Sequence, residues 1–167
     1  MLENLINLVK ENAQDIVVNN SNIPDDNNND VINETGSTII DGLKNAVSQG
    51  NFSSVMDIFS NKEGILDNPV VGNIINSLTD TLKTKFDIDG GEANNVAGRL
   101  VPDVVNQMAT KTNEPIDNGF DLQDILNNVG ANSLGDIGGM IGRFTSSSGK
   151  SGNTDEGGLE GMVKSFF

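Results

Sequence analysis

The side chains best placed to do chemistry in this chain are the acids of Asp87-Ile88-Asp89-Gly90-Gly91-Glu92. Three carboxylates in six residues, with glycines to turn the chain, resemble the start of a calcium loop, which places oxygen ligands at its first and third positions. An EF-hand also needs glycine at its sixth position and glutamate at its twelfth. Counted from Asp87, those positions hold Glu92 and Gly98, and counted from Asp25 they hold Asp30 and Gly36. Asp87, Asp89 and Glu92 are therefore weak candidates for a divalent cation, and helix capping accounts for the same residues. Asp41 and Asp103, and then Asp57 and Asp124, recur in similar settings and fit either a paired polar site or exposed helix faces.

The rest of the catalytic inventory is short. The chain has no His, no Cys and no Tyr. That removes imidazole bases, thiol nucleophiles, Cys/His zinc sites and phenolic acids. Gly149-Lys150-Ser151 reproduces the back half of a phosphate loop, but the glycine that should open the loop is Phe144, and no strand precedes it. No spacing supports a Ser–Lys dyad. The residues thus point to a non-enzyme without cofactors, with a carboxylate-based cation-binding or hydrolytic protein as the alternative.

Charge narrows the partners. With a formal charge of −14, the chain repels phosphate backbones and anionic lipid, so neither nucleic acid nor membrane is expected as a partner. Absence of cysteine gives no sign of disulfide chemistry. The opening stretch carries Glu3 and no basic region of a signal peptide, and no apolar run reaches the length of a spanning helix, so the cytoplasm is the expected compartment.

The elements that must position these residues are helices. Leu2, Leu5, Ile6, Val9, Ala13, Ile16 and Val17 recur at steps of three and four, and the pattern fades at Asn19-Asn20 before Pro24. Asp25 or Asp26 is expected to cap a second helix bearing Val31, Ile32, Ile39, Leu43, Ala46 and Val47, with Gly36 as a candidate break and Gly50 as its stop. Asn51 is expected to cap a short third helix with Phe52, Val55, Ile58 and Phe59, and 61–69 reads as a linker. A strong amphipathic helix follows with Val70, Val71, Ile74, Ile75, Leu78, Leu82 and Phe86, then a turn at 87–91. Helical spacing resumes from Ala93 to Met108, but Pro102 predicts a bend near 98–101 and a new helix opened by the proline. Asp121 starts a last short helix with Leu122, Ile125 and Leu126.

Thr38-Ile39-Ile40-Asp41 and the residues after it resemble Leu100-Val101-Pro102-Asp103, and Met56-Asp57-Ile58-Phe59 resembles Gln123-Asp124-Ile125-Leu126. The expected fold is therefore all-α: a compact bundle over 1–130, built from two similar three-helix units (1–65 and 66–130), plus a glycine-rich tail over 131–167. The tail contains a gapless repeat. Ile137, Met140, Ile141 and Phe144 match Leu159, Met162, Val163 and Phe166, with small-residue spacings such as Gly135/Gly139 and Gly157/Gly161. Residues 145–156 between the copies read as a flexible Ser/Gly linker. Segments this short and glycine-rich need to dock to become ordered, since each glycine costs about 1 kcal/mol in a helix. Docking onto the body and docking between copies both satisfy that need. These eight apolar residues are the expected interaction site, for the chain itself or another protein. A third option, membrane attachment through Phe144, Phe166 and Phe167, has only Arg143 and Lys164 as basic support.

The small-and-apolar run over 93–105 with its Leu100-Val101-Pro102 centre, together with the tail repeats, resembles the bacterial family called domain of unknown function 937, related to YidB-like proteins. The amphipathic opening over 1–18 and its turn at Asn22-Ile23-Pro24 are similar to Bacteroidota-type members. The resemblance spans most of the chain and implies a helical protein with no established activity. It supplies no site residues, and this tail is more polar than is usual in the family.

Overall fold

The computed structural model of the chain describes residues 2–60, 64–113 and 122–130. The chain divides into a unit Met1–Ser133 and a unit Leu134–Phe167, and all described residues fall in the first. They form an all-α bundle: α1 (Leu2–Asn12), α2 (Asn28–Ser48), α3 (Phe52–Phe59), α4 (Pro69–Phe86), α5 (Gly90–Asn113) and α6 (Leu122–Asn128).

The first amphipathic stretch does not run out as one α-helix. Leu5, Leu8 and Val9 of α1 are buried, and the chain then widens into a π-turn over Gln14–Val18. There the Ala13 carbonyl accepts from both Val17 and Val18, and the Asn19 N–H reaches back to Gln14. Ile16 and Val17 are carried inward by this turn. Ile23, 2% exposed, then plugs the space before Pro24.

Neither Asp25 nor Asp26 caps α2 as expected. Asp25–Asn27 form a 3-10 turn, the position before α2 is Asn27 in a helical conformation, and no side-chain cap bond is made there. The reason is local: the turn offers its own carbonyls to the first free N–H groups, as when Asn28 donates to Asp25. Gly36 does not break α2 either, which runs unbroken for 21 residues. A β-carbon on Gly36 would lie 3.1 Å from Ile6 Cγ1, so this glycine marks the close approach of α1. Gly42 plays the same part toward α4, where an added β-carbon would collide with Ile74. The stop at Gly50 is as expected: its φ is +82°, its N–H donates to Val47 and that of Asn51 donates to Ala46. These two bonds are the Schellman closure of a helix end. Asn51 occupies the position before α3 but makes no side-chain cap bond.

Part of the expected linker over 61–69 is structured. Ile65–Asp67 form a 3-10 turn, and Asn68-Pro69 open α4 as cap and first helical residue. Asn68 Oδ1 accepts from the Val70 N–H at 2.9 Å while its Nδ2 donates to the Ser54 carbonyl at 2.8 Å, so one side chain starts α4 and ties it to α3.

The largest correction concerns Pro102. Pro102 does not open a new helix as expected: α5 runs from Gly90 to Asn113 as one 24-residue helix with Pro102 inside it. An interior proline costs about 3 kcal/mol, through its missing N–H and its clash with the carbonyl four residues back. Against that, Leu100, Val101, Val104, Val105 and Met108 are fully buried around it, each worth roughly 1.5–3 kcal/mol. Packing of one continuous apolar face outweighs the local penalty. The residue four back is Gly98, where nothing lies within 4 Å of a notional β-carbon.

The two similar segments lie on corresponding elements. In α2, Ile39, Ile40 and Leu43 are buried while Asp41, Lys44 and Asn45 are exposed; in α5, Val101, Pro102 and Val105 are buried while Asp103, Asn106 and Gln107 are exposed. Ile58 and Phe59 of α3 match buried Ile125 and Leu126 of α6. The turns between the long helices correspond too, since Ile88 is buried in the second as Ile23 is in the first.

The glycine assignments give opposite expectations for one substitution. Gly42→Ala forces α2 off α4 and should lower unfolding free energy by about 1–3 kcal/mol. Gly72→Ala, in α4 where nothing crowds a β-carbon, should raise it by about 0.5–1 kcal/mol through helix propensity. Urea melts of the two variants check both signs.

Candidate functional site

The acidic turn between α4 and α5 is the best-defined polar feature the sequence singled out. α4 ends because Asp87 adopts the left-handed conformation (φ +53°), the only non-glycine among the described residues to do so. Aspartate tolerates that region better than most residues because its short side chain bonds locally. The Asp87 and Ile88 N–H groups both turn back to the Leu82 carbonyl, and buried Ile88 anchors the turn.

From there the acids diverge in role. Asp89 Oδ2 accepts from the Gly91 N–H at 2.9 Å, and its backbone carbonyl accepts from Ala93 at 2.7 Å, so it opens α5 as a side-chain cap. Glu92 is half-buried, and its Oε1 accepts from Asn20 Nδ2 at 2.6 Å. The same Asn20 nitrogen donates to the Ile16 carbonyl, so Glu92 pins the end of the π-turn against the start of α5. Among the described residues no three acidic side chains gather into a group that could hold a metal ion. The acids here organise backbone: one reverses the chain, one caps, one clamps.

The other acids singled out are distributed along the bundle. Asp41 and Asp103 are exposed in the middle of α2 and α5, and Asp57 and Asp124 are exposed on α3 and α6. Asp25, Asp26 and Asp30 lie on the 3-10 turn and first turn of α2. Ile137, Met140, Ile141, Phe144, Leu159, Met162, Val163 and Phe166 all lie outside the described residues, as do Gly149-Lys150-Ser151 and the aromatic residue Phe167.

One feature escaped the sequence reading. An open groove of about 340 Å³ runs where α3 meets the start of α4, with Ser54, Asp57, Asp67 and Asn68 on its walls. Leu66 beside it is 69% exposed. Its signal was the Asn68-Pro69 pair, which reads as a helix opening and so places the preceding 3-10 turn against α3. Two carboxylates and a hydroxyl make the groove polar and acidic.

The capping role of Asp89 is directly testable. Asp89→Ala should cost about 1 kcal/mol of stability and Asp89→Ser about half that or less, because serine retains an acceptor for the Gly91 N–H. Calcium at saturating concentration should leave the melting temperature of the parent chain and of both variants unchanged. No protein-family model, curated protein or solved structure is significantly similar to this chain.

Proposed function

We propose that this protein acts by association rather than catalysis, as a helical body whose tail segments bind further copies of the chain or a protein partner. The observation that carries this reading is the gapless tail repeat, in which Ile137, Met140, Ile141 and Phe144 are matched by Leu159, Met162, Val163 and Phe166. The helical body supports it from the other side. Its apolar residues close on one another, and among the described residues Leu2 and Leu66 are the large apolar side chains left exposed. The binding role is therefore assigned to the apolar residues repeated in the tail sequence rather than to the body.

The acids that looked most like chemistry support the same reading, because Asp89 and Glu92 already accept hydrogen bonds that hold the bundle together. The charge of −14 favours a protein partner over nucleic acid or anionic lipid. No helix among the described residues is long and apolar enough to cross a membrane. We place the protein in the cytoplasm and, on its central Leu100-Val101-Pro102 run and tail repeats, with the family called domain of unknown function 937.

A charge placed on each tail segment tests the association. The double variant Ile141→Asp with Val163→Asp should reduce the particle mass measured by light scattering, or abolish capture of a partner, while the circular dichroism of the body is unchanged. Unaltered mass and unaltered capture would refute the tail as the binding element.

A further inference from the structure

The chain contains two aspartyl-glycine pairs among its described residues, Asp41-Gly42 and Asp89-Gly90, and the fold sets them in opposite circumstances. We infer that Asp89-Gly90 is a site of spontaneous backbone isomerisation, and that Asp41-Gly42 is protected from the same reaction.

The chemistry is intrinsic to the dipeptide. The backbone nitrogen of the glycine attacks the aspartate Cγ, a new C–N bond closes a five-membered succinimide, and the displaced carboxyl oxygen leaves as water with the proton lost from nitrogen. Water then adds to either ring carbonyl and breaks one C–N bond. Opening at one carbonyl restores aspartate. Opening at the other leaves the chain running through the side-chain carbon, as isoaspartate. Nothing is gained or lost overall, and no co-reactant other than water is needed. Glycine is the most permissive following residue because it has no β-carbon to hinder approach or restrict its peptide.

What separates the two pairs is the freedom of that peptide to turn. Asp41-Gly42 sits in the interior of α2 (Asn28–Ser48), where backbone N–H groups are committed to carbonyls one turn back. Gly42 is also the residue on which Ile74 of α4 is seated. Rotating this peptide requires α2 to open and its contact with α4 to be undone. Asp89-Gly90 sits at a junction: residues 87–89 are outside any helix, and Gly90 is the first residue of α5, whose N–H belongs to the set with no partner inside the helix. Asp89, Gly90 and Gly91 are all exposed. The nearest groups to a notional β-carbon on Gly90 are carbons of the Lys83 side chain, at 3.6 and 3.8 Å, which are free to move aside. The Asp89 carboxyl is held at this junction by one hydrogen bond, from the Gly91 N–H to Oδ2 at 2.9 Å, which must be released for Cγ to meet the Gly90 nitrogen.

The product would alter the turn that positions α5. Isoaspartate inserts a methylene into the main chain and leaves a carboxylate attached directly at Cα. The cap on Gly91 and the Asp89 carbonyl that accepts from Ala93 are then both displaced. Glu92, which holds Asn20, lies in the turn that loosens.

The test incubates the full chain in mildly acidic buffer at physiological temperature for several weeks. Isoaspartate is then located by peptide digestion, electron-transfer fragmentation and isoaspartyl methyltransferase labelling. Freeing the Asp89 carboxyl costs about the 1 kcal/mol of its cap, whereas the middle of a packed helix opens only near global unfolding, so isoaspartate at 89 should exceed that at 41 by about a hundredfold or more. Asp89→Ser, which keeps a capping oxygen but has no carboxyl, should remove the signal at 89. In concentrated urea the two sites should react at similar rates. Absence of isoaspartate at 89 in the folded chain, equal amounts at 41 and 89, or a site 41 that stays silent in urea would each overturn the inference. Asn118-Gly119 reports separately in the digest, because its deamidation changes the peptide mass.

Discussion

The buried face of α5 is the interaction on which the rest of this bundle depends. From Ala93 to Ala109 the helix puts an apolar residue inward at nearly every turn, and Val96, Ala97, Leu100, Val101, Val104, Val105 and Met108 have almost no exposed surface. α4 packs along it more extensively than any other pair of helices, and α1 and α3 close on it from the first half of the chain. Burial on this scale contributes far more than the ~3 kcal/mol that an interior proline removes, even if compactness of the unfolded chain reduces the gain. A helix that had to choose between local propensity at Pro102 and a continuous packed face has kept the face.

Two further constraints follow from crowding helices around one axis. Helices that approach closely need small residues at the crossing, and Gly36 and Gly42 supply them where Ile6 and Ile74 cross α2. Polar groups at the edges need partners, and the many asparagines supply those. Asn20 reaches Glu92 at the start of α5, Asn12 accepts from Gln107 further along, and Asn113 donates to the Phe59 carbonyl at its end. An amide side chain can donate and accept at once, so one residue can serve two elements. By contrast the exposed Lys85–Glu34 ion pair, 2.8 Å long, adds little, since surface pairs contribute about 0–1 kcal/mol.

Much of this was legible before any coordinates. Apolar spacing located the helices, Gly50 announced the end of α2, and the acids at 87–91 announced the turn. What the spacing could not convey was competition between local and tertiary terms. Pro102 reads as a break because its penalty is local and its compensation comes from other helices. Gly36 reads as a break because the reason for it, Ile6, is 30 positions away in sequence. Asn68-Pro69 lay within an expected linker although its chemistry is that of a helix start. At the candidate site helix capping was an available account of the whole 87–92 cluster, but which acid caps, Asp89, and the pairing of Glu92 with Asn20 across the fold had no signal in one sequence.

Hydrogen exchange measured residue by residue on the native chain tests the central claim most directly. A single helix through the proline predicts that amides over 100–108 exchange only with global unfolding, and that protection is continuous on both sides of Pro102. Two helices meeting at a bend would instead give rapid exchange at 98–101 and separate opening energies for the two sides, and that result would contradict α5 as the axis of the fold.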